Sequence, residues 1–124
     1  MEAKETDKAI DYCMKSMNLA RQIECRKIEG ESLCTLGKAF AAEGDIQEGL
    51  NHCDQALEIF KDIEYPKGEA EALFAKAAAL HQLGKKEEAA QSAQEALLIF
   101  QRIESHLAEK VRQQLAEWQD GQGS

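Results

Sequence analysis

A chain of 124 residues with 44% hydrophobic and 31% charged positions suits one compact domain or a short stack of repeats. Its net charge of −8 argues against nucleic acid, because phosphate contacts need clustered Lys and Arg. No apolar run nears the roughly 18 residues of a membrane span, the N-terminus "MEAKETDKAIDY" has no apolar signal segment, and Cys13, Cys25, Cys34 and Cys53 form no CxxC pair, so a cytoplasmic chain with reduced thiols is expected.

One Pro and an abundance of Ala, Glu, Gln, Lys and Leu favour helix throughout. The first predicted helix covers 4–24 and carries Ile10, Cys13, Met14, Met17 and Leu19, more apolar residues than one side needs. A hairpin of two helices follows over 29–64. Its first helix shows the stripe Leu33, Leu36, Gly37 and Phe40. "EGD" at 43–45 ends it, with Gly44 suited to the left-handed closing residue. Asp45 then stands as an N-cap, and Glu48 three residues on completes a capping-box pattern. The second helix shows Ile46, Leu50, Cys53, Leu57 and Phe60 at spacings of three and four. Pro66 fits the first turn of the next helix, where a missing N–H costs nothing. A second hairpin over 66–104 repeats the plan, with Leu73, Ala77 and Leu80, then Gly84, then Ala89, Ala93, Ala96, Leu97 and Phe100. A last helix over 106–119 has the narrow stripe Leu107, Val111, Leu115 and Trp118 on a polar background, which predicts a terminal cap. Its spacing assigns Trp118 to packing rather than to a binding anchor. Residues 120–124 read as a flexible tail. All of 1–119 is thus one helical repeat domain.

The hairpins are copies. "ALEIFKDIE" at 56–64 returns forty residues later as "ALLIFQRIE" at 96–104, and "SMNLARQIE" at 16–24 occupies the same frame. Ile23, Ile63 and Ile103 share one slot, Cys13 and Cys53 another, and Gly44 pairs with Gly84. Such a period marks a solenoid. Gly37 with Ala77, and Ala56 with Ala96, are small where two helices must approach closely. The first copy has only a second-helix counterpart, so the 4–24 helix is unpaired.

No catalytic constellation emerges. The acids are spread along helix faces, and Gly37-Lys38 and Gly84-Lys85 lack the rest of a phosphate loop. His52 and Cys53 are adjacent and point about 100° apart on a helix, a poor pair of metal ligands, while His81 and His106 lie elsewhere. No enzyme activity, metal or cofactor is expected.

These residues resemble the tetratricopeptide repeat family. Its pattern of a large apolar residue, Leu-Gly, an aromatic, Gly, Ala, an aromatic and Ala is met by Leu33, Leu36-Gly37, Phe40, Gly44, Gly49, Cys53 and Ala56. The second unit gives Leu73, Lys76-Ala77, Leu80, Gly84, Ala89, Ala93 and Ala96. Gly49, Cys53, Lys76 and Ala93 depart from it. The period of forty exceeds the usual value of about 34 and is similar to the family's long-period branch. The resemblance implies an all-α, right-handed α-solenoid of antiparallel helix pairs, about six helices in all. It also implies a concave groove lined by the first helix of each hairpin: Glu31, Cys34, Lys38, Ala41 and Ala42, then Glu71, Phe74, Ala78, His81 and Gln82. With Lys38 the only basic residue among them and no Asn, the groove is unlike those that clamp acidic chaperone tails. The expected function is a non-enzymatic adaptor or scaffold that binds a protein or peptide partner, of apolar and basic character, in that groove. The alternative is a self-assembly module, a homodimer formed through Ile10, Met14 and Met17 of the unpaired helix.

Overall fold

A computed structural model describes residues 3–103 and 107–123. It contains α1 (Ala3–Gln22), α2 (Arg26–Ala42), α3 (Ile46–Asp62), α4 (Pro66–Gln82), α5 (Lys86–Arg102) and α6 (Leu107–Gly123), with no strand among the described residues. The helix boundaries follow from the turns. Glu24, Gly44, Glu64 and Gly84 all have positive φ, at 57°, 96°, 53° and 84°. They recur every twenty residues, half the sequence period. At each, the N–H of the next residue reaches back to the carbonyl five residues earlier: Cys25 to Ala20 at 2.8 Å, Asp45 to Phe40 at 2.9 Å, Tyr65 to Phe60 at 2.9 Å and Lys85 to Leu80 at 3.0 Å. That bond satisfies a carbonyl left over at the helix end. Glycine serves the turns inside the hairpins, and glutamate tolerates the same conformation between them.

Several expectations change in detail. α2 starts at Arg26, three residues before the predicted edge, and α6 runs on to Gly123, so 120–123 are helical rather than tail. Asp45 stands at the N-cap of α3, yet its side chain makes no capping bond. Glu48 instead lies near His52, 3.8 Å from its Nδ1. Pro66 does occupy the first turn of α4. Glu104, His106 and Ser124 lie outside the described residues.

Each helix packs on its chain neighbours, and α2 also touches α4. The result is an α-solenoid with α2 and α4 side by side on one face. Small residues set the spacing. A Cβ on Gly37 would stand 2.6 Å from Cys53 Sγ and 2.8 Å from the Gly49 carbonyl, so α2 and α3 meet almost backbone to backbone. Phe60 fills the room between Gly30 and Gly68, where an added Cβ would fall within 2.8 and 2.5 Å of its ring. The ring is fully buried and joins the first hairpin to the second. Removing such a ring costs about 3–5 kcal/mol. The α1–α2 junction uses the slots of the α3–α4 junction differently. Ser16 and Ser32 stand where Ala56 and Ala72 are fully buried, and the Ser32 hydroxyl donates to Ser16 Oγ at 3.3 Å. This satisfies the buried polar side chain of the core. Lys76, a departure from the repeat pattern, bridges to Asp54 at 2.8 Å across α4 and α3.

Candidate functional site

The face formed by α2 and α4 is concave, and α6 closes its far side. A cavity of about 770 Å³ opens there. α2 contributes Lys38, Ala41 and Ala42, and α4 contributes Glu71, Phe74, Ala78, His81 and Gln82, all expected from the sequence. Ala75, Ala79, Phe100 and, from α6, Lys110, Val111, Gln114 and Trp118 complete the lining. The alanines leave the room, and Phe74 and Trp118 supply aromatic surface. Trp118 stacks on His81, with ring centroids 4.5 Å apart and planes 11° from parallel. It is therefore part of the groove as well as of the packing to which the sequence assigned it.

Two expected groove residues fall elsewhere. Glu31 is exposed on α2 but outside the cavity lining. Cys34 is buried in the core, a correction to its place among the groove residues. Its neighbours on the helix wheel, Gly30 and Gly37, are buried as well, so that side of α2 faces inward. Burial pushes its thiol pKa up. Lys38 opposes the rise, and Glu71 and Glu31 add to it. Cys53, behind Gly37, is held at about 12 chiefly by burial, and burial also raises Cys13. A buried thiol resists becoming the thiolate that would bind a metal or attack a substrate. Among the described residues, no three His, Cys, Asp or Glu side chains come together as a metal site would require.

The charges lining the groove are Lys38 and Lys110 against Glu71. The acidic balance of the whole chain is thus not expressed in this lining. What the cavity offers is an apolar floor, two flanking ammonium groups, one carboxylate and the amides of Gln82 and Gln114 as polar partners. A lining of that kind, apolar with a few placed polar groups, has the chemistry of binding pockets in general.

The residues assigned to self-association separate. Met17 is buried in the core beside Cys13, which corrects its assignment to an outer surface, and Ile10 is half-buried against the same core. Met14 is exposed. Besides Met14, α1 exposes Tyr12 and Leu19, and Ile23 just past its end continues their stripe. No described helix is long and apolar enough to cross a membrane.

The missed part of the groove comes from α6. Its sequence breaks the repeat: the slots of Leu73 and Ala77 hold Gln113 and Glu117. The spacing of Val111, Leu115 and Trp118 was legible, whereas the meeting of Trp118 with His81 depends on the packing angle of α6. A search of curated proteins finds no match. A family model described as tetratricopeptide repeat matches residues 29–102, the two hairpins and more than half of the chain. The chain belongs to the tetratricopeptide repeat family.

Proposed function

We propose that the chain is a non-enzymatic adaptor that holds a peptide or short helix of a partner protein in the groove between α2, α4 and α6. Tetratricopeptide repeats generally serve as protein interaction modules, which supports the class of function. The observation that carries the site is the open cavity of about 770 Å³ with Phe74 and Trp118 in its lining. Aromatic side chains of this kind supply most of the energy at protein interfaces. The partner segment seats a bulky apolar residue against them. Lys38 and Lys110 meet its carbonyls or a flanking carboxylate, and Glu71 meets a donor.

Selection from a random-peptide display library, followed by titration, tests this reading. Trp118 is the only tryptophan, so its emission reports on occupancy of the groove. Selected peptides are expected to change that emission and to bind Phe74→Ala about tenfold more weakly, which equals about 1.4 kcal/mol. Lys38→Glu weakens them as well, and both variants remain folded at the temperature of the titration. Peptides that bind wild type and Phe74→Ala equally, with Trp118 emission unchanged, would sink the groove assignment.

A further inference from the structure

The repeat frame makes the outer face of α1 interpretable. Tyr12 and Leu19 of α1, with Ile23 just past its end, occupy the slots of His52, Ile59 and Ile63 on or next to α3, and of Ser92, Ile99 and Ile103 on or next to α5. At about 100° per residue the three lie on one side of the helix. On the first hairpin this side is covered by α2. His52 stacks on Phe40 with centroids 5.1 Å apart, and Ile59 is buried, its Cγ2 3.3 Å from where Gly30 would carry a Cβ. On the second hairpin Ser92 and Ile99 are half-buried. Tyr12, Leu19 and Ile23 stand 75%, 57% and 62% exposed, against 38% for Ile103, the counterpart of Ile23 on the second hairpin. α1 therefore presents the surface by which α3 receives its covering helix, and no described helix covers it.

The covering helix has a defined chemistry. Large residues of α3 meet small ones of α2: Gly30 faces Ile59 and Phe60, and Gly37 faces Cys53. A second copy of the chain matches this poorly. Its α6 presents Lys110, Gln113, Glu117 and Asp120, all exposed, in the slots where α2 has Gly30, Leu33, Gly37 and Phe40. Head-to-tail stacking would bury those charges against the apolar stripe of α1. A second α1 would bring Tyr12, Leu19 and Ile23 against themselves, large on large.

We infer that the Tyr12–Leu19–Ile23 face of α1 is a second interaction surface, separate from the groove, for an amphipathic helix of a partner protein that runs antiparallel to α1 and sets small residues against Leu19. The packing that α2 and α3 make is the pattern for that contact.

A peptide with the sequence of α2, Arg26–Ala42, is the probe. Lys27 and Glu31 are four apart and exposed, so a lactam between them fixes the helix without touching the packing side. Labelled at its end, this peptide is expected to give saturable fluorescence anisotropy with the full-length chain. Leu19→Lys in the chain, or Gly30→Leu with Gly37→Leu in the peptide, should weaken binding at least tenfold, while Leu19→Lys leaves the chain's melting temperature in place. Absence of saturable binding, or binding indifferent to Leu19→Lys, would overturn the inference. So would light scattering that shows a dimer of the chain dissociated by Leu19→Lys, because the occupant would then be a second copy.

Discussion

Gly37 and Gly44 lie seven residues apart and are glycine for unrelated reasons. Gly37 sits in an ordinary helix, but its missing Cβ leaves room for Cys53 and the Gly49 carbonyl. Gly44 has open space around it and needs glycine for its φ of 96°. Gly37→Ala therefore overpacks the α2–α3 seam and should cost about 2 kcal/mol in urea unfolding, even though alanine is the better helix former. Gly44→Ala should cost about 1 kcal/mol, all of it from the backbone. The cysteines make a second prediction. Cys25 is partly exposed, whereas Cys13, Cys34 and Cys53 are buried with raised thiol pKa values. A thiol reagent should modify Cys25 alone in the native chain and all four after unfolding. The folded pKa of Cys53 lies above its ordinary 9.0, so the unfolded chain gives up that proton first. The stabilising contribution is complete below pH 9.0 and is lost as pH rises toward about 12. Alkaline unfolding should be less steep over that window in Cys53→Ala, measured as stability against pH.

α1 shows how far the sequence informs about a helix. Its apolar excess was legible from Ile10, Cys13, Met14, Met17 and Leu19. Which of them face inward is missed by the count and is carried by the repeat frame. Met17 falls in the slot of Leu57 and is buried as that residue is, while Leu19 falls in the slot of Ile59 and finds no cover. Met17→Lys should therefore destabilise the chain by more than about 2 kcal/mol, since it strands a charge in the core. Leu19→Lys should stay within about 0.5 kcal/mol of wild type. Thermal melts of the two variants separate these roles. The helix ends tell a similar story. Gly44 and Gly84 were legible as turns because they are glycine, whereas Glu24 and Glu64 adopt the same left-handed conformation without a residue type that announces it. Asp45 and Glu48 have the composition of a capping box, but the backbone bond from Asp45 to Phe40 already closes that turn.

For the molecule as a whole, the forty-residue period fixed the architecture, because each hairpin must present its neighbour with the same large and small residues. Two walls of the groove follow from the family resemblance: Lys38, Ala41, Phe74, Ala78, His81 and Gln82 all line the cavity. The third wall does not. α6 departs from the repeat at Gln113 and Glu117, and its approach to α4 rests on a contact between residues 81 and 118 that no local pattern encodes. Phe74→Ala and Trp118→Ala should accordingly act on the same ligand, and their effects on affinity should not add, since both side chains border one cavity. A peptide titration of the two single variants and the double variant measures that coupling. The central claim is that the groove between α2, α4 and α6 is where a partner docks. Amide chemical-shift mapping of the full-length chain with a library-selected peptide tests it most directly. The account predicts the largest shifts at Lys38, Phe74, Ala78, Gln114 and the Trp118 indole. Shifts confined to the outward faces of α3 and α5, around Glu58 and Gln94, with those five signals unmoved, would contradict it.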